Sequence, residues 1–194
     1  MNRMPQIAIF ASGSGSNAEN IIHYFKKTRT AKVALIICNN PKAGVIDRAH
    51  RLRIPLVTIS RRAYENSSLL LHTLKTEEID FIVLAGFLWK IPTEVCQAYY
   101  QKMINVHPAL LPKFGGKGMY GMNVHRAVLE AGEKESGITI HQVNEHYDEG
   151  DILFQKSIST ESCTSAEDLA SRIHDLEYEF FPRVIEEQIE KVCN

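Results

Sequence analysis

Short apolar runs alternate with longer amphipathic stretches through the first half of the chain. Residues 7–11, 33–38, 56–59 and 81–85 are compact and apolar, a pattern that predicts buried strands. Residues 17–27, 43–53 and 63–78 lie between them and carry helical periodicity. Strand and helix in strict alternation predict a parallel sheet covered by helices. Residues 103–106 read as a fifth strand. Residues 138–143 and 152–158 follow as two more, joined by a polar loop over 144–151, which predicts a hairpin-like pair and a mixed edge. Over residues 165–191, Leu169, Ile173, Leu176, Phe180, Val184 and Ile185 recur at helical spacing. Pro182 is expected to kink or interrupt that helix. The expected architecture is α/β, a three-layer Rossmann-like and mostly parallel sheet with helices on both faces and a mixed C-terminal edge.

Composition narrows the function classes. A chain of 194 residues is expected to form a single domain over 1–194 with a sizeable core. A formal net charge of -1 leaves no basic footprint for nucleic acid, so any anionic ligand must be held by local groups. Cys38, Cys96, Cys163 and Cys193 are scattered without a C-x-x-C pair, which argues against a zinc site and for reduced thiols in a cytoplasmic protein. The apolar run at residues 6–11 is too short for a signal segment, and no apolar run is long enough to span a membrane.

The first candidate site follows the first strand. Ser12-Gly13-Ser14-Gly15-Ser16-Asn17 opens the first helix, where glycines permit a tight turn and free amides attract an anion. Gly13, Gly15 and Ala18 also match the loose dinucleotide fingerprint. The second strand, however, ends Cys38-Asn39-Asn40, without the acid that holds a ribose diol. The loop therefore reads as a phosphate cradle, against a plain strand-to-helix turn.

The second candidate is Met103-Ile-Asn-Val-His-Pro-Ala-Leu-Leu-Pro112. In a strand, Asn105 and His107 share one face, and Pro108 biases His107 toward extended backbone. An amide donor beside an imidazole suits polarising a carbonyl and moving a proton. Asp148, in Tyr147-Asp148-Glu149-Gly150-Asp151, is expected to orient His107 and raise its pKa if the fold brings the two together. No serine or cysteine stands in a nucleophile context, so the substrate itself is expected to attack.

Asn105-Val-His-Pro-Ala-Leu-Leu-Pro112, with Asp148-Glu149-Gly150 downstream and the Ser12–Asn17 loop upstream, resembles the folate-dependent formyltransferase family nearly end to end. The resemblance implies transfer of a formyl group from 10-formyltetrahydrofolate, the co-substrate, to the amine of glycinamide ribonucleotide in purine synthesis, without a metal. It implies Asn105, His107 and Asp148 as the catalytic trio, Gly15, Ser16 and Asn17 as phosphate ligands, and Glu177 as the acid at the substrate's glycinamide end. Arg61 (with Arg62 as a close rival), Leu88, Trp89, Lys90, Ile91, Asn105 and Val143 are implied at the folate. A cis peptide at Leu111–Pro112 is implied as well, and the assembly is expected to be a monomer or homodimer. Another folate-dependent formyltransferase or a 10-formyltetrahydrofolate deformylase is the alternative.

Two stretches depart from the family pattern. Residues 113–123 are long and glycine-rich, expected to form a mobile loop with Lys113 or Lys117 near phosphate, against a plain surface loop. Leu88-Trp89-Lys90-Ile91-Pro92 leaves individual folate contacts open. Among the other histidines, His125 is the best supporting candidate, His141 faces either core or site, and His174 reads as a surface group.

Overall fold

The computed structural model describes residues 3–193. Its elements in chain order are β1 (Gln6–Ala11), α1 (Ser16–Thr28), β2 (Lys32–Cys38), α2 (Val45–Leu52), β3 (Leu56–Thr58), α3 (Arg61–Glu65), α4 (Ser67–Thr76), β4 (Phe81–Leu84), α5 (Thr93–Ala98), β5 (Met103–His107), α6 (Met122–Glu130), β6 (Glu135–Gln142), β7 (Ile152–Ser159) and α7 (Ala166–Cys193). The seven strands form one sheet in the order β3-β2-β1-β4-β5-β6-β7. Pairings from β3 through β5 are parallel, and β5–β6 and β6–β7 are antiparallel, as the expected mixed edge requires.

Period-two alternation divides each central strand between two cores. Ile7, Ile9 and Ala11 of β1, with Phe81 and Val83 of β4, pack against α1, α2, α6 and α7. Ala8 and Phe10, with Ile82 and Leu84, pack against α3, α4 and α5. Both faces are dry, which is why these strands read as unbroken apolar runs rather than as alternating ones.

Two expectations require correction. The helix expected over residues 63–78 is two helices, because Asn66 leaves helical geometry and its side chain accepts from the Leu69 N–H at 3.2 Å, starting α4 afresh. The interruption expected at Pro182 does not occur, and α7 runs through it. Proline removes the donor that would meet the Tyr178 carbonyl one turn back. Asn20 Nδ2 of α1 donates to that carbonyl at 2.9 Å instead, so a neighbouring helix supplies the missing bond.

The switch in strand order lies between β1 and β4, where connections leave in opposite directions along the sheet. In open α/β sheets the crevice beyond the carboxyl ends of such strands is where ligands bind. Here the loop after β1 meets the loop after β4: the Ser12 N–H donates to the Gly86 carbonyl at 3.1 Å, and the Leu88 N–H donates to Ser12 Oγ at 3.0 Å.

Candidate active site

A cavity of about 550 Å³ opens at this crevice. Its walls include the loop after β1, the end of β5 and the 116–121 segment, with His174 and Glu177 of α7.

At one end lies the glycine loop. Gly15 adopts φ 77°, and a Cβ there would stand 2.5 Å from the Val45 side chain, so this turn against α2 admits only glycine. Arg48 of α2 donates to the Ser14 carbonyl at 2.8 Å and pairs with Glu19 of α1, fixing the loop from below. No side chain caps the start of α1, which leaves the amides of the first turn available to an anion. Ser16 Oγ lies 2.9 Å from His174 Nε2, and Asn17 Nδ2 donates to Glu177 Oε2 at 2.7 Å. Burial pushes the Glu177 carboxyl up to about 7 against the opposing pull of the Asn17 hydrogen bond. Glu177 thus stands beside the loop assigned to phosphate, so it belongs to that end of the cavity. His174, read from sequence as a surface group, is one helical turn from Glu177, and that spacing was the available signal.

At the other end, β5 presents Asn105 and His107 as its polar terminus. His107 is 3% exposed. Its Nε2 donates to the Phe114 carbonyl at 2.7 Å, and its Nδ1 stands 3.6 Å from Asp148 Oδ2. The fold therefore does join His107 and Asp148, but the expected rise in the histidine's pKa is not found. Burial lowers it and outweighs the upward pull of Asp148 and of the Phe114 carbonyl, leaving His107 below its ordinary value. A charged ring in this dry place loses more hydration than one carboxylate at 3.6 Å returns.

Asp148 sits at φ 57° and accepts from the Gly116 N–H at 2.9 Å. Burial pushes its carboxyl up, but the His141 side chain, His107 and that amide together hold it below the usual range. Gly150 explains the third member of the Asp-Glu-Gly triplet: a Cβ there would lie 1.8 Å from the Gln142 carbonyl oxygen, so the loop returns against β6 only with glycine. Thr139 of β6 pins the proline-framed turn after β5, donating to the Ala109 carbonyl at 2.7 Å and accepting from the Leu111 N–H at 3.0 Å. The Leu111–Pro112 peptide in this turn is cis.

The 113–123 segment is tied to the site at two points, through Phe114 to His107 and Gly116 to Asp148. Lys117 lines the cavity, whereas Lys113 pairs with Glu133 at 2.8 Å outside it. His125 of α6 lines the cavity with a buried Nδ1 that has no protein partner, and burial takes its pKa down to about 4.

A second, smaller hollow of about 60 Å³ lies on the far side of Asn105, between Trp89, Lys90, Ile91, Val143, Tyr147 and Asp148. Arg61 stands over the Trp89 ring at 5.0 Å from its centroid, at the rim, while Leu88 turns into the larger cavity. Among the described residues no cluster of three or more His, Cys, Asp or Glu side chains could hold a metal, and no helix is long and apolar enough to cross a membrane.

A sequence profile of the formyl transferase family matches residues 5–185. The chain is 39% identical over 189 residues to the chloroplastic phosphoribosylglycinamide formyltransferase of Vigna unguiculata, covering 95% of this chain and 61% of that protein. It thus spans less than two thirds of the plant relative's length. It is 38% identical to the phosphoribosylglycinamide formyltransferase of Bacillus subtilis (strain 168), covering 95% of this chain and 94% of the relative. The crystal structure of phosphoribosylglycinamide formyltransferase from Bacillus halodurans aligns with a TM-score of 0.86 at 34% identity, covering 96% of each chain. With a shared sequence, a shared sheet and a polar cluster at the expected strand ends, the chain belongs to the formyl transferase family of enzymes.

Proposed function

We propose that this protein transfers the formyl group of 10-formyltetrahydrofolate to the primary amine of glycinamide ribonucleotide, a step of purine biosynthesis. One observation carries the reading: the uncapped start of α1 and the Asn105–His107–Asp148 cluster face a single cavity of about 550 Å³ in a member of this family. A ribonucleotide seated with its phosphate on the amides of Gly15, Ser16 and Asn17 has Glu177 close by, through Asn17, and its amine directed toward Asn105 and His107. The smaller hollow at Trp89, Ile91 and Val143 borders the same asparagine and gathers the residues that the resemblance implies at the folate, with Arg61 at its rim.

The chemistry then follows from the side chains. The substrate amine attacks the formyl carbon, giving a tetrahedral intermediate with an oxyanion and an ammonium. The Asn105 amide donates to that oxygen, and His107 exchanges its Nε2–H bond with the Phe114 carbonyl for one with the oxyanion. Asp148, held ionised, stabilises the positive charge on the His107 ring as the ring takes up a proton from the ammonium. His107 takes the proton that the ammonium loses, and the folate N10 gains one as the oxyanion collapses and the carbon–N10 bond breaks, which releases tetrahydrofolate and leaves the formamide. Holding the phosphate at a helix start removes most of the amine's freedom before the reaction.

The direct test incubates the protein with 10-formyltetrahydrofolate, with and without glycinamide ribonucleotide, and follows tetrahydrofolate release. Release only with the ribonucleotide is expected. Equal release without it indicates a deformylase, and no release with either overturns the proposal.

A further inference from the structure

His141 ends up opposite Asn105 because β6 pairs antiparallel with β5 in the register Asn105↔His141. The ring is 2% exposed. Its Nδ1 lies 2.8 Å from the Gln142 carbonyl oxygen. A carbonyl can only accept, so Nδ1 carries the proton, and Nε2 of the neutral ring is left as an acceptor. The amide nitrogen of Asn105 lies 3.0 Å from that Nε2. The Gln142 carbonyl thereby decides, through the imidazole, which way the asparagine faces. Its NH₂ turns toward His141, spends one hydrogen there and keeps the other. The Asp148 carboxylate stands 3.6 Å from the same Nε2, the longer of its two contacts.

We propose that His141 is a positioning residue for formyl transfer, which fixes the Asn105 amide so that its second N–H is presented to the cavity. This rests on the reading that Asn105 donates to the formyl oxygen. Without the acceptor on His141, the amide turns freely about its last torsion. In half of its orientations it presents its own carbonyl oxygen where the oxyanion must form. The feature lost is orientation in the transition state, so kcat falls while KM for either substrate changes little.

A long-range proton–nitrogen correlation spectrum of the intact protein tests the premise without any substitution. The neutral ring of His141 is expected to be protonated on Nδ1, and protonation on Nε2 overturns the proposal. Kinetics test the consequence. His141→Leu is expected to lower kcat on the order of tenfold to a hundredfold, a fraction of what loss of a whole oxyanion donor costs. His141→Gln, whose side-chain oxygen can accept in the place of Nε2, is expected to recover most of that loss. In an Asn105→Ala background the further effect of His141→Leu should shrink to less than about threefold, because the group it positions is gone. An undiminished effect there, or one that disappears only in an Asp148→Asn background, overturns the inference. Full activity of Asn105→Ala itself instead overturns the role given to Asn105.

Discussion

The two ends of the cavity are built on opposite principles. At the β5 end the polar groups satisfy one another: His107 on Phe114, Asp148 on Gly116, Asn105 on His141. Its carboxylate is held below the usual range and its buried histidine is kept neutral. At the α1 end the first-turn amides have no side-chain cap, Asn17 Oδ1 is buried without a partner, and burial raises Glu177 to about 7. One end has its polar groups joined to one another, and the other leaves first-turn amides free for a ligand. Electrostatic stabilisation of a transition state needs dipoles already in place. Binding of a phosphate needs only donors left free.

The comparison breaks first at the organised end. Asp148→Asn is expected to lower kcat by about 10²–10⁴-fold and to change the pH–rate profile, since the imidazolium loses its counter-charge. A profile of unchanged shape, measured over the full pH range, removes Asp148 from that role. At the open end Gly15→Ala should act on binding. Steady-state kinetics should give a KM for the ribonucleotide raised on the order of tenfold, with kcat much less affected, because the Cβ displaces the cradle and not the reacting groups. A fall confined to kcat contradicts the division.

Stability against pH sharpens the contrast, because the two ends titrate with opposite signs. Glu177 has a raised pKa, so its favourable contribution is present below its unfolded value and lost as pH rises through about 7. His107 has a lowered pKa, so its contribution is present above about 6.5 and lost as pH falls below that. Glu177→Gln is therefore expected to gain stability relative to the parent at pH 8.5 compared with pH 5, by at most about 3 kcal/mol. Denaturant titrations at the two pH values read this difference, and equal differences reject the buried carboxylate as its cause. The smallest effect belongs to the rim. Arg61→Ala should raise KM for the folate about two- to fivefold through loss of the Trp89 stack, and Arg62→Ala should leave it unchanged. The reverse outcome assigns the folate contact to Arg62.

Much of this was legible in the residues. All seven strands were legible as short runs, the central ones most plainly, because strands buried on both faces carry an unmistakable composition, whereas β3 and β7 are largely exposed. The helix break at Asn66 was harder to see, since an asparagine within a helical pattern is a cap only if the chain turns there. At Pro182 the interruption is absent because the bond that keeps α7 continuous comes from Asn20, far away in the chain.

The sequence by itself marked the candidates for the chemistry. Asn105 and His107 are polar residues at the end of an apolar run, Asp148 stands in a polar loop, and only a glycine allows the turns at Gly15 and Gly150. Tertiary structure alone decided their states. His107 is neutral because of how deeply it is buried, although its carboxylate partner is present, and hydration lost on burial depends on every neighbour at once. The partnership of Asn105 with His141 depends on strand register, and that of Ser16 with His174 on where α7 crosses α1. These are contacts between segments far apart in the chain, so local pattern carries no record of them.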